Sequence, residues 1–488
     1  MQVSSPGIGK GVTIAFAALL AAADFLAAGC SAVNAVTGLV TPTTVSSTPV
    51  AVPMTITDAP SDQVIAASLT LNSIVLTDAA GKTASILGAP MTFEATHLDA
   101  VQEPLFTPAI PQDTYTSVTL AYSNAQVAYL NPATKRVVLT SATLANNGQT
   151  ITFTTPIVVN GTTTSLLVDY LVANSVSISG TTVTVTPAFH IAAVPIPPQP
   201  TNGTNGLQCG YKGKVTALGT NDFTLTNPSG NSLVIKVNAN TQYQGLSGFS
   251  ALAVGALVEV DTITQSDGSL LAARVEVQAP PATASELLVG PVTAVTGSPA
   301  TSFTLLVRQQ IGGATSSAAT TVTVNVNGST QFLLPGRFSN VNAADPVAFN
   351  FNAATLFAGQ VVGVATTGVS NGAATAAIVA LSPQTVGGTI TSITPPMAQY
   401  VPNWVKTVIA LPSGSWLTTL TGQTTVTVYT PIGCASSMTC FLQAINNTPP
   451  AIGDTIRFNG FLFNNCGSLV MVALIQADGP GTPIAPPH

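Results

Sequence analysis

Nucleophilic catalysis needs a serine or cysteine activated by a base that a third group orients. The bases on offer are three histidines, His97, His190 and His488, which lie far apart in a chain of 488 residues. No Gly-x-Ser-x-Gly elbow is present to expose a serine on a tight turn. Metal binding needs clustered ligands, and no histidine has a second His or a Cys at helical or hairpin spacing. His190, in the segment Pro187-Ala188-Phe189-His190-Ile191, reads as a strand-end side chain. Asp267-Gly268 lacks the spaced acids of a calcium loop and reads as a hairpin turn. Gly81-Lys82-Thr83 ends like a phosphate loop, but Leu76 stands where that loop requires glycine, so it too is a turn.

Two carboxylates remain of interest for acid/base work. Asp58, before Ala59-Pro60, is expected to satisfy backbone donors in a local turn. Asp169 lies in an apolar strand and, once buried, would need a hydrogen-bond partner. Aromatic side chains that could stack on a sugar gather late in the chain, at Tyr400, Trp404 and Trp416. They are the best candidates for ligand stacking, against the alternative that they plug the end of a small barrel. These residues yield no catalytic assignment, no metal ligands and no cofactor.

Positioning these groups falls to β-structure. From Met54 onward, runs such as "AASLTLNSIVLTD" and "TITFTTPIVV" alternate apolar and hydroxyl residues with a period of two. Asp78 to Lys82 and Asn146-Asn147-Gly148 read as hairpin turns between them. The segment 54–194 is therefore expected to close as an antiparallel β-sandwich. A Pro/Gly linker follows at 195–209.

Beyond the linker a unit recurs three times, at 210–278, 288–382 and 386–478. Each copy opens on a glycine before a strand: "GKVTAL", "GPVTAV", "GTITSI". Each has a second glycine in "VGALVEV", "AGQVVGV" and "IGDTIRF", and each ends on a hairpin and a last strand. The first two share a middle element, "VNANTQYQG" and "VNGSTQFLLPG"; the third has "VYTPIGCASSMTC" instead. A short tail, 479–488, is expected to be disordered.

Three resemblances attach to these motifs. Lys10, the apolar run Gly11 to Leu26 and Ala27-Ala28-Gly29-Cys30 resemble a bacterial lipoprotein signal, with 1–29 as signal peptide. That resemblance implies lipidation of Cys30, a membrane anchor with 30–53 as tether, and a place in the cell envelope. Ser31 after the cysteine favours the outer membrane. Thr57-Asp58-Ala59-Pro60, Tyr115, the "LLVDY" strand around Asp169 and the closing "VTPAFHI" resemble the domain of unknown function (DUF) family 4382, which implies a β-sandwich and no established chemistry. The repeats resemble DUF family 5666, which implies small barrels similar to the oligonucleotide/oligosaccharide-binding (OB) fold.

After lipidation of Cys30, Cys209, Cys434, Cys440 and Cys466 remain for disulfides in an oxidising compartment. Cys434 with Cys440 is the nearest pair, leaving Cys209 for Cys466; alternatively Cys440 pairs with Cys466, and Cys434 with Cys209 or with nothing.

Composition bounds the partners. Only 6% of residues are charged and the net charge is −6, with no Lys/Arg cluster to neutralise phosphates, so nucleic acid is excluded as an expected partner. The sequence-level reading is an all-β, lipid-anchored envelope protein, a structural or interaction module rather than an enzyme. Its alternative is an envelope glycan-binding protein; a hydrolase with an unrecognised site ranks below both. The expected partners are the membrane and an envelope protein or glycan, with the sandwich close to the membrane and the barrels farther out.

Overall fold

The computed structural model describes residues 48–58, 61–99, 101–131, 133–161, 164–195, 207–313, 320–335, 349–394, 404–431, 451–465 and 467–478. Within them strands predominate, and the helical segments are short. Cys30, Tyr400, Cys434, Cys440 and Cys466 lie outside the described residues, as do the signal segment, most of the tether and linker, and the tail.

Two facing sheets make the sandwich. The first joins β2 (Val64–Asp78), β3 (Met91–Glu94), β5 (Asp113–Leu130) and β6 (Gly148–Val159), with β5 between β6 and β2 and with β3 on β2. The second runs β8 (Phe189–Pro195), β7 (Thr164–Tyr170), β1 (Met54–Asp58), β4 (Glu103–Phe106), and its central pair β7–β1 is parallel. Alternation sends Leu69, Leu71, Val118 and Leu120 from one sheet and Ile56, Leu166 and Val168 from the other into one core. Tyr170 completes that core edge-on to Phe93, with ring centroids 5.7 Å apart. Pro49–Ala51, in the stretch read as tether, pairs with Ala109–Pro111 at the sandwich margin.

Three barrels follow. The first is β9 (Leu207–Leu218), β10 (Asp222–Thr226), β11 (Ser232–Lys236), β12 (Leu257–Thr264) and β13 (Leu270–Ala279). β9 pairs with β10 and β12, β10 with β11, and β12 with β13. A short parallel pairing of β11 with β13 closes the ring.

In the second barrel, β14 (Glu286–Gly297), β15 (Ala300–Val307), β16 (Thr320–Asn325) and β17 (Val361–Thr366) keep that order, and the fifth strand is split into β18 (Ala373–Thr375) and β19 (Ile378–Leu381). The third, β20 (Gln384–Thr394), β21 (Trp404–Ala410), β22 (Thr425–Pro431), β23 (Thr455–Asn465) and β24 (Ser468–Asp478), closes fully. All three therefore share the ring order 1-2-3-5-4, the closed Greek-key arrangement of OB-like barrels.

The repeat motif Gly-x-(Val/Ile)-Thr has a physical cause. A Cβ at Gly213, Gly290 or Gly388 would fall 2.7, 1.8 or 2.5 Å from the carbonyl oxygen of Thr226, Leu306 or Ala410, so only glycine lets the first strand cross the second so closely. The threonine that follows sits at a break in register, a β-bulge. Its hydroxyl donates across to the second strand, Thr216 to Thr224, Thr293 to Thr304 and Thr391 to Val408. The second glycine of each copy takes a left-handed φ and donates its N–H back to the motif's Val or Ile: Gly255 to Val215, Gly359 to Val292, Gly453 to Ile390.

The barrels do not trail away from the sandwich; they pack on it. Ser229 of the first barrel donates to the Thr92 carbonyl, Arg308 of the second to the Ile65 carbonyl, and Thr385 of the third to the Asp99 carbonyl. The barrels thus follow the sandwich in the chain and also lie against it. Sequence spacing gives no view of these contacts.

Candidate functional site

Charge is scarce in this chain, yet it is spent inside. Among the described residues, eight of the 18 acids (Asp58, Glu94, Asp99, Glu103, Asp169, Glu259, Asp261, Glu276) are buried, with Lys212, Arg274 and Arg457. Charged side chains are almost never fully buried unless paired. These fall into two networks.

One lies on the first barrel. Register places Lys212 beside Glu259, Glu259 beside Glu276 and Asp261 beside Arg274 on the outer faces of β9, β12 and β13. Arg274 Nε donates to Asp261 Oδ2 at 2.7 Å and Nη2 to Glu259 Oε1 at 2.9 Å, while Nη1 reaches Glu276 and Gln244. Lys212 Nζ takes the second oxygen of Glu259 at 3.0 Å. Burial works against the Arg274 charge, but Asp261, Glu259 and Glu276 outweigh it and raise its pKa above the arginine value.

The other joins domains. After β3, the turn Thr96–Leu98 folds His97 back over Glu94. Glu94 Oε1 accepts from the backbone of Ala67 and Thr96 and from the Thr96 hydroxyl; Oε2 accepts the His97 N–H and faces His97 Nδ1 at 3.0 Å. Burial opposes that carboxylate, yet these bonds and the His97 charge hold its pKa below the usual range. Glu103, opening β4, lies 3.3 Å from His97 Nε2. Burial alone would lower the His97 pKa; Glu103 and then Glu94 push it up to about 9.

Asp99 receives Arg457 of β23 at 3.0 Å, and Arg457 also reaches Asp62 at 3.4 Å. Burial, partly offset by Arg457, raises Asp99 to about 7. Asp58 lies deeper, bridged to Asp99 through the backbone. It accepts from Val172 N, 114 residues away, so its role is a distant backbone contact rather than the expected local turn. Burial, then Asp99, raises its pKa well above the carboxylate range. Asp169 is fully buried in β7 and adds to that rise.

Arg308, between β15 and the short strand Gln309–Ile311, enters this junction from the second barrel. Its Nε donates to Ile65 O at 2.6 Å, and its guanidinium carbon lies 5.9 Å from the Trp416 ring centre. Two clefts meet at this side chain. One runs between the sandwich turn and Asn227 to Ser229 of the first barrel; the other is lined by His97, Lys212, Gln309, Thr385 and Asn459, drawn from all four domains.

The other residues singled out from sequence fall elsewhere. Trp416 opens the helix α1 (Trp416–Thr421), its N–H bonded to Asp62 O, and its half-buried ring packs against a core of Ile65, Ala66, Ala128, Leu130 and Leu306. It is part of the contact between third barrel, sandwich and second barrel. Trp404 opens β21 and Cys209 lies in β9; their side chains lie outside the described residues. His190 is exposed on β8. Asp267 accepts from Ser269 at the tip of the β12–β13 hairpin, and Asp78 from Ala80 and Lys82, both as expected turns.

Comparison with known proteins gives one family match. Residues 212–276, nearly the whole first barrel, match the family described as a domain of unknown function, DUF5666. No curated protein matches the chain. Among solved structures, the wild-type single-stranded DNA binding protein from Thermus aquaticus is 14% identical, covering 41% of this chain and 93% of its own, with a TM-score of 0.16. A deletion mutant of that protein gives 14% identity over 40% and 93%, also at a TM-score of 0.16. These matches overturn one expectation from charge: nucleic acid is not excluded as a partner. At that TM-score the likeness carries no function to this chain.

Proposed function

We propose that this chain is a cell-envelope protein held to a membrane by lipid on Cys30, and that its body is a structural or interaction module rather than an enzyme. Ala27-Ala28-Gly29-Cys30 behind an apolar run supports the anchor, and the sandwich at 54–194 suits the DUF4382-like domain common on lipoproteins. The observation that carries the non-enzymatic reading is the state of His97. A general base needs a free lone pair and a pKa near the working pH. His97 has carboxylates at both ring nitrogens and a pKa pushed up to about 9, so at neutral pH it is an imidazolium clamped in place. Glu94 is likewise occupied at both oxygens. These groups brace the sandwich turn, next to the Asp99–Arg457 pair that joins it to the third barrel.

Replacing Cys30→Ala tests the anchor by fractionation of a bacterial host. The variant is expected in the soluble fraction and the native chain in the membrane fraction; equal membrane retention of both contradicts the proposal.

A further inference from the structure

We propose that the cleft at the four-domain junction binds a small oxyanion, a carboxylate or a phosphate, on the free edge of Arg308. The case rests on a contrast among the buried and part-buried cations. Arg274 meets three carboxylates, Arg457 two, His97 two and Lys212 one, all within ion-pairing distance. Among the described residues Arg308 has no carboxylate at that distance, and its only hydrogen bond leaves from Nε to the Ile65 carbonyl.

The acids near it are committed elsewhere. Glu94 is filled by Ala67, Thr96 and His97, Glu103 faces His97, and Asp99 faces Arg457. Burial accordingly pulls the Arg308 pKa below the arginine value, and the fields of Glu94, Asp99 and Asp58 restore only part of it. One face of the guanidinium is turned to Trp416, which leaves the Nη edge for a ligand. A guanidinium edge offers parallel N–H donors whose spacing matches carboxylate and phosphate oxygens. Both clefts are lined by Arg308, His97 and Gln309, with Glu103 also on both walls, tied to His97, and Lys212 on one. A part-buried guanidinium with its Nη edge short of direct partners gains charge-assisted hydrogen bonds when an anion supplies them.

The test is a titration of the full chain with inorganic phosphate and, separately, with acetate, at constant ionic strength set by chloride, read as the rise in thermal midpoint. The native chain is expected to gain stability with one or both anions, and Arg308→Gln to bind at least tenfold more weakly. Phosphate active alone would assign a phosphate site, and acetate active alone a carboxylate site. Equal shifts in the native chain and the variant, or no shift with either anion, would overturn the proposal. If Arg308→Gln does not fold, native crystals soaked in selenate decide the matter: an anomalous selenium peak within hydrogen-bond reach of Arg308 is expected, and its absence rejects the site.

Discussion

Arg274 is a buried guanidinium and Arg308 a part-buried one, and their surroundings are opposite. Arg274 sits on one barrel, surrounded by acids supplied by its own strand and the one beside it, and its charge is reinforced. Arg308 crosses from one domain to another, meets a backbone carbonyl, and its charge is weakened. Cross-strand register can deliver several partners to one residue, because the ladder repeats them at fixed spacing. A junction between domains has no such ladder. Compensation there depends on single contacts between residues hundreds of positions apart, and is correspondingly incomplete.

The largest expected effect breaks the saturated network. Arg274→Met leaves Asp261, Glu259 and Glu276 buried around a lost cation, and removing one partner of a buried pair costs about 3–5 kcal/mol. Urea unfolding of the variant should show that loss in its midpoint. A loss under about 1 kcal/mol would mean that the network is solvated.

Next in size is the pH dependence of the junction. His97 has a folded pKa raised to about 9, above its unfolded value of 6.5, so its contribution is whole below pH 6.5 and lost as pH rises through 9. The loss is on the order of 3 kcal/mol. Asp99, raised to about 7, works in the same direction at lower pH, since its neutral form is favoured by folding and stability falls as it ionises between about 4 and 7. Glu94, lowered, contributes above its ordinary range and loses that contribution on acidification. Stability measured from pH 6.5 to 9 should therefore fall in the native chain and fall much less in His97→Gln, which keeps only the Asp99 share. Parallel slopes in the two proteins would remove His97 from the account.

The smallest effect belongs to the surface. Lys236 and Asp267 pair at 3.1 Å with both side chains about half exposed, and such pairs contribute roughly 0–1 kcal/mol. Lys236→Gln should shift the urea midpoint little, and that little should vanish in high salt.

Much of the fold was legible because β-structure writes itself locally. Period-two alternation marked the sandwich strands, and Gly-x-(Val/Ile)-Thr marked the three barrels, since a close strand crossing admits only glycine and the bulge places a threonine hydroxyl. The junction was not legible as contacts: Asp99 meets Arg457 across 358 residues, and Arg308 meets Ile65 across 243. One local signal did exist. From Glu94 to Glu103, ten residues of a chain that is 6% charged hold three acids and one of its three histidines. That density, in an apolar and hydroxyl-rich context, marks a polar interior site. Trp416 shows the converse: aromatic residues in a late insertion suggested ligand stacking, while its ring packs between domains beside Arg308.

The central claim is that buried ion pairs hold the sandwich turn to the third barrel. Hydrogen exchange on Arg457→Gln tests it most directly. The account predicts faster exchange in the sandwich peptide containing Thr96–Leu98, far from the substitution in sequence, with strand Leu270–Ala279 of the first barrel unchanged. Faster exchange confined to Thr455–Asn465, with the sandwich turn as protected as before, would contradict it.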